Sequence, residues 1–234
     1  MLLMDKSDKA MTSKNVALKK YAYDEIKKKI LSCAYAPGVL LNEQFLSGEL
    51  DISRTPIREA LSRLDQEGLV RTISKKGVLV SNISIADLSQ IYQVRIELEP
   101  FIVRISGPHL DREKLLYYRE LFYKETDDDG SMLQLETDTS FHGYLADNCN
   151  NKYILQLMKK VLEENKRVMI STRNKVRINN ARSEHLKIID LLLLDDNEAA
   201  SREMCHHIEN CRDSAITYFL DRAKTGEGNN PMPS

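Results

Sequence analysis

The sequence has no tryptophan, 6% aromatic residues, and only 9 glycines and 6 prolines in 234 residues. Sandwiches and barrels need frequent Gly/Pro turns, so this scarcity excludes a turn-rich β architecture and favours a mainly α chain. Long apolar runs are missing too, and none approaches the roughly 20 residues of a membrane-spanning helix. Met1-Leu2-Leu3-Met4-Asp5 places an acid where the apolar core of an export signal would continue, so a cytoplasmic protein with no membrane partner is expected. The four cysteines (Cys33, Cys149, Cys205, Cys211) form no CxxC pair and are expected to be reduced thiols. An excess of one charge is also lacking: 34 Lys+Arg against 35 Asp+Glu leave a net of -1. What remains, 42% hydrophobic and 29% charged residues, suffices for a packed core in one large domain or two small ones.

The near-zero net charge hides an asymmetry. Residues 1–82 hold 14 Lys+Arg and 10 Asp+Glu, a net of +4, whereas the remainder holds 20 and 25, a net of −5. A basic N-terminal third joined to an acidic C-terminal two-thirds suggests two domains with different partners. Polar, patternless residues 1–13 and the tail 224–234, with its Thr225-Gly226-Glu227-Gly228-Asn229-Asn230-Pro231, are expected to lack structure. The domains expected between them cover 14–82 and 83–223.

In the N-terminal third, Ala22, Ile26 and Ile30 recur every fourth residue and predict an amphipathic helix ended by the turn Pro37-Gly38. Asn42 is placed to cap a short helix carrying Phe45, Leu46 and Leu50. After Asp51-Ile52, Ser53 caps a third helix, with Pro56 in its first turn, Ile57, Ala60, Leu61 and Leu64 on its buried face and Gly68 at its end. Two helices joined by so tight a turn form a helix-turn-helix. Arg54 and Arg58, four residues apart with Thr55 beside them, then form a fork at the helix N-terminal end, suited to the major groove and to guanine O6/N7. The alternative is a solvated face with the arginines paired to Glu59 or Asp65. Leu69–Ile73 and Val78–Val80 flank Ser74-Lys75-Lys76-Gly77, predicting a hairpin wing whose lysines contact phosphates and whose glycine allows close backbone approach to a minor groove.

The run Pro37-Gly38, Leu40, Leu46, Ser53-Arg54-Thr55-Pro56-Ile57-Arg58-Glu59-Ala60-Leu61, Arg63-Leu64, Glu67-Gly68-Leu69-Val70 and Gly77 resembles the winged helix-turn-helix domain of GntR-family bacterial repressors, over about residues 16–82. The resemblance implies major-groove reading by Arg54 and Arg58 with Thr55 and Ser53 beside them, and a minor-groove tip at Lys75, Lys76 and Gly77. Gln44 stands where family members commonly have Arg, which implies a different contact at that position.

Beyond Ile85 six helical segments can be drawn, at roughly 86–106, 111–127, 131–148, 152–172, 178–194 and 197–223, predicting an all-α bundle. Asp138 and His142 share an apolar face with Leu135, Phe141 and Leu145. His185 lies among Ala181, Ile189 and Leu192, and His207 among Ala200, Met204, Cys211 and Tyr218. All four polar residues point inward, where they are costly unless paired or coordinating. Each histidine alone fits a hydrogen-bonded core residue better than a ligand. Together, one Asp and three imidazoles suit Zn²⁺ first, or Ni²⁺ or Mn²⁺. His109 and His206 are expected to be exposed bystanders.

Asp138-Thr139-Ser140-Phe141-His142, Glu184-His185 and Met204-Cys205-His206-His207-Ile208 resemble the FCD effector domain of the FadR subfamily, in its six-helix, VanR-like form. The resemblance implies Asp138, His142, His185 and His207 as metal ligands. It also puts Asn151, in Asn150-Asn151-Lys152-Tyr153, at an effector pocket. Arg95 sits with Ile91, Leu98 and Ile102 and matches the family's R-x-x-L/I-E segment. It either clamps a carboxylate effector or pairs with Glu99 one turn on.

The expected protein is therefore a homodimeric transcriptional regulator, a repressor as is most common in this family, that binds a palindromic double-stranded operator and answers to a small carboxylate metabolite. A metal-dependent hydrolase or lyase acting on a small organic acid is the competing expectation. It lacks a residue at motif spacing to serve as general base and leaves the winged helix unexplained.

Overall fold

No glycine or proline occurs before Pro37, so nothing stops a helix from propagating backward from the Ala22–Ile26–Ile30 stripe. In the computed structural model, which describes residues 6–124, 132–172 and 175–225, helix α1 accordingly spans Lys6–Leu31. It takes in residues 6–13, where the polar composition had pointed to a tail without structure. Residues 1–5 and 226–234 of the two expected tails lie outside the described residues. The chain divides between Asn82 and Ile83 into two units.

In the first unit α2 spans Glu43–Leu50 and α3 spans Arg54–Gln66. Asn42 caps α2 by accepting the Phe45 amide at 2.7 Å, and Asp51 ends it in the left-handed conformation at φ 52°. Ser53 holds the N-cap position of α3 without a side-chain cap bond. Gly68, at φ 77°, closes α3: its amide donates to the Asp65 carbonyl and the Leu69 amide to the Leu64 carbonyl, both at 3.0 Å. The apolar stripe of α1 and the Ile57–Leu61–Leu64 face of α3 meet in a core with Leu46, Leu69 and Val80.

Strands β2 (Val70–Ile73) and β3 (Gly77–Val80) form the wing hairpin. A further strand, β1 (Leu40–Leu41), pairs antiparallel with β3 and completes a sheet of order β1-β3-β2. Two residues are too few for an alternating pattern, so β1 had no periodic signature. Its presence makes Gly77 a structural requirement, since φ there is +125° and a Cβ would sit 2.2 Å from the Leu41 carbonyl oxygen. Lys75, at φ 63°, turns the tip.

Among the described residues every element of the second unit is helical. It comprises α4 (Ile85–Ser106), a single 3-10 turn (Gly107–His109), α5 (Arg112–Lys124), α6 (Met132–Asp147), α7 (Lys152–Ser171), α8 (Lys175–Leu193) and α9 (Asn197–Thr225). A reciprocal capping box between Ser84 and Asp87 starts α4. Helix α9 lies along α4 and α8, while α5 packs on α8 and α6 on α7, around Leu88, Tyr92, Ile102, Phe122, Phe141, Met158 and Met204. The expected helix boundaries agree to within a few residues, and residues 125–127 of the second segment lie outside the described residues. Among the described residues no helix is long and apolar enough to cross a membrane.

The Gly77 geometry yields a paired test. Gly77→Ala should destabilise the first unit by about 2–3 kcal/mol in urea unfolding, through left-handed strain and the clash with Leu41. Gly48→Ala, in α2 with open space where its Cβ would go, should instead stabilise by up to ~1 kcal/mol.

Candidate functional site

Two polar features stand out, one in each unit. On the first, Ser53, Arg54, Thr55 and Arg58 are exposed at the start of α3, and Gln44 is exposed on α2. Pro56 and Ile57, buried between the arginines, anchor the other side of the same turn. The Arg58 Nε donates to both oxygens of Glu43, at 2.8 and 2.7 Å. The two acids expected to compete for the arginines are occupied elsewhere: Glu59 by Lys19 at 2.7 Å, and Asp65 by the Thr72 hydroxyl at 2.5 Å. Glu43 was not foreseen, because only the packing of α2 across α3 brings it near. The Arg58 side chain remains 65% exposed, so the pair contributes at most about 1 kcal/mol. It orients the guanidinium without holding it against a better acceptor. Lys75 and Lys76 are exposed at the wing tip, and Gly77 follows, half-buried.

In the second unit Asp138 and His142 of α6, His185 of α8 and His207 of α9 are all buried, and one donor atom from each lies within 4.8 Å of the others. The His142 Nε2 and His185 Nε2 are 3.1 Å apart, and the Asp138 Oδ1 is 3.4 Å from His185 Nε2 and 3.9 Å from His142 Nε2. Two more carboxylates stand behind the ring. The Glu99 Oε2 is hydrogen-bonded to His142 Nδ1, and the Glu184 Oε2 to His207 Nδ1 at 2.7 Å. A carboxylate on Nδ1 keeps the proton there and leaves the Nε2 lone pair directed inward. Phe122 stacks on His185 at 4.5 Å between ring centroids, and Phe141 meets it edge-on, so the walls are apolar.

Such an arrangement is a donor set. Lone pairs from imidazoles and a carboxylate face one another out of contact with water, which is costly without a cation or proton among them. Ligands of one first-row ion bound at 2.0–2.1 Å lie about 3.0–3.4 Å apart, a range that includes the 3.1 and 3.4 Å separations. The residues present therefore fit a divalent metal. A proton can supply part of the same compensation. Burial disfavours a charged His207, but Cys211, Glu184 and Asp138 outweigh it and raise its pKa to about 9.

Arg95, on α4, is 1% exposed and its Nε donates to the Glu99 Oε1 at 2.5 Å. The intrahelical pair offered by the sequence is thus made, and it connects Arg95 through Glu99 to His142. Burial penalises both charges, yet Arg95 and His142 hold the Glu99 carboxyl well below the usual carboxylate range, and Glu99 keeps Arg95 charged. The Arg95 Nη2 has no hydrogen-bond partner among the described residues. Asn151 is placed differently from expectation. It is exposed at the N-cap of α7, where its Oδ1 accepts the Tyr153 and Ile154 amides at 3.0 and 3.3 Å. Its side chain is committed to the helix end because α7 begins one residue later. His109 and His206 are exposed.

Glu99 and Glu184 are the site residues the sequence did not reveal. Glu99 looked like a simple partner for Arg95, and Glu184 precedes His185 but bonds His207, a link made only when α8 packs on α9. Both carboxylates are engaged by histidines and by Arg95 or Asn210. Neither stands ready as the general base that a hydrolase or lyase requires.

Residues 18–80 match the family described as bacterial regulatory proteins, gntR family, and residues 90–210 match the FCD domain. An uncharacterized HTH-type transcriptional regulator, YdhC, of Bacillus subtilis is 27% identical over 79% of this chain and 85% of its own length. The gluconate operon transcriptional repressor of the same species is 29% identical over 71% of this chain and 69% of its own. Among solved structures, a GntR transcriptional regulator from Rhodococcus sp. RHA1 superposes with a TM-score of 0.74 at 23% identity, covering 85% of this chain and 97% of that one. The regulators, not enzymes, are thus its kin, and the chain belongs to the GntR family of DNA-binding transcriptional regulators that carry an FCD domain.

Proposed function

We propose that this regulator is a cytoplasmic homodimeric repressor that binds a palindromic operator through residues 14–82 and is controlled by a small carboxylate metabolite bound beside a divalent ion in residues 83–223. The observation that carries the proposal is the buried Asp138/His142/His185/His207 donor set, with the Arg95 guanidinium joined to it through Glu99. Zn²⁺ suits three imidazoles and a carboxylate best, with Ni²⁺ or Mn²⁺ as the other candidates.

On the DNA side, Arg54 and Arg58 at the exposed N-terminal end of α3 are suited to bidentate contacts with guanine, with Thr55, Ser53 and Gln44 alongside. Lys75 and Lys76 suit phosphates at the wing tip. Two-fold symmetry would pair two such units on inverted half-sites. A second copy would also cover apolar side chains that the helical unit leaves exposed, among them Tyr123 on α5 and Tyr153 and Leu157 on α7. Repression is the stated role of the gluconate operon relative, and that operon concerns a carboxylate.

On the sensing side, the ion supplies a positive centre for an anionic ligand. Arg95 adds a second one, since its Nη2 has an unused donor for a carboxylate oxygen. Glu99 and Glu184 hold His142 and His207 in the tautomer that leaves Nε2 available. The effector changes operator affinity to the extent that it binds the two placements of the winged units unequally, typically by ~1–3 kcal/mol, or about 5–150-fold.

Operator binding tests the DNA side. With a duplex selected from a random-sequence pool and followed by fluorescence anisotropy, Arg58→Ala should weaken binding at least tenfold while light scattering still reports a dimer. Unchanged affinity would remove α3 as the reading helix. The sensing side is tested by elemental analysis and by Zn²⁺ titration. His207→Ala should lose the bound ion, and Glu99→Gln should weaken Zn²⁺ about 10–100-fold. Full occupancy in His207→Ala, or an operator affinity indifferent to every saturating organic acid tried, would overturn the proposed control.

A further inference from the structure

Helix α6 offers its donors as an i, i+4 pair, Asp138 and His142. Helix α9 holds a second such pair: Cys211 stands one turn beyond His207, and its Sγ lies 3.8 Å from His207 Nε2, the ring nitrogen that faces the cluster. Residues at this spacing lie on one helix face and reach a common point. Two ligands of one ion, a thiolate sulfur at about 2.3 Å and an imidazole nitrogen at about 2.0–2.1 Å, are separated by roughly 3.5–3.8 Å for angles between tetrahedral and trigonal. The observed separation falls at the upper end of that range, and the sulfur lies beside the set of four mutually close donor atoms, one of whose members it contacts. The remaining cysteines stand apart: the Cys149 thiol is directed to the Asn151 carbonyl at 3.6 Å, burial and the Glu209 and Glu97 carboxylates disfavour a Cys205 thiolate, and Cys33 belongs to the winged unit.

We infer that Cys211 is a fifth protein donor at this centre, binding the ion as a thiolate beside Asp138, His142, His185 and His207. The inference rests on the proposal that the cluster holds a divalent ion. On coordination the thiol proton leaves to solvent and the sulfur lone pair takes its place toward the cation. The competing role for this thiol is a plain S–H donor to His207 Nε2, which would leave the donor set at four. A thiolate in the set discriminates among the candidate ions: it favours borderline and soft cations such as Zn²⁺ and Co²⁺ over Mn²⁺, whose preferred donors are oxygens.

Cobalt separates the outcomes. Full-length protein stripped with chelator and titrated with Co²⁺ should gain visible d–d absorption, which reports an ion at the cluster, together with a near-ultraviolet sulfur-to-cobalt charge-transfer band. Cys211→Ser should lose the near-ultraviolet band and keep the visible one, whereas Cys205→Ser should keep both. In competition titrations the preference for Zn²⁺ over Mn²⁺ should fall about tenfold or more in Cys211→Ser. Visible bands without the charge-transfer band in the wild-type protein would overturn the inference and leave the four-donor centre standing. So would a charge-transfer band that survives Cys211→Ser. Absence of visible bands altogether would overturn the metal centre itself and the inference with it. The wild-type spectrum decides the matter even if the variant folds poorly.

Discussion

The helical unit depends on how it satisfies a set of inward-facing lone pairs. Asp138 and three imidazoles converge inside an apolar wall of Phe122 and Phe141, where water does not compensate them. Everything around them reads as compensation. Glu99 and Glu184 accept hydrogen bonds from the Nδ1 protons of His142 and His207, Arg95 balances Glu99, and the pKa of His207 is raised until it can hold a proton. On the proposed reading a divalent ion and a proton compete for one position, and either would compensate the lone pairs that face it. Three helices distant in sequence supply the donors, so the same requirement fixes how α6, α8 and α9 meet.

The winged unit follows the opposite rule. Its core of Ala22, Ile26, Leu46, Ile57, Leu64 and Val80 is apolar throughout, and its polar chemistry is kept at the surface. Arg58 is held by Glu43 in a pair too exposed to be strong. A weak partner is useful at such a position: it limits the rotamers of a long side chain before binding, yet costs little to give up when a phosphate or a base edge competes. The buried pair of Arg95 and Glu99 cannot be exchanged in that way, because separating it would strand a charge in the core. One ion pair is suited to contact and the other to architecture.

Much of this was legible in the chain. The stripe of α1, the Ile57–Leu64 face of α3, the caps at Asn42 and Gly68 and the inward aspect of Asp138, His142, His185 and His207 are local patterns with a fixed period, and such patterns survive folding. What the sequence concealed is non-local. Strand β1 is two residues long and exists only because β3 accepts it, so Gly77 read as a groove contact when its absent Cβ already serves the Leu41 carbonyl. Glu43, Glu99 and Glu184 reach Arg58, His142 and His207 on other helices, and no spacing announces those links. Residues 6–13 differ from expectation for another reason: polarity alone does not end a helix when no glycine or proline intervenes. Asn151, given an effector role by resemblance alone, also uses its Oδ1 to cap α7, a local part that the resemblance did not indicate.

Charge accounting inside the helical unit links these points. Arg167 is buried but pairs with Glu164, and Glu184 is partly exposed; among the remaining enclosed groups Arg95 carries one positive charge, and Glu99 and Asp138 one negative charge each. With neutral imidazoles the enclosed set is therefore negative by one, and a divalent ion makes it positive by one. A carboxylate ligand then finds a net attraction at the ion and an unused N–H on Arg95, and its own charge brings the site to neutrality. A Cys211 thiolate would reach the same balance without it. Ligand and thiolate are in that sense electrostatic alternatives. The conformation stabilised by each need not be the same, and in the proposed dimeric sensor a difference of that kind would have to become a change in how two winged units meet their operator.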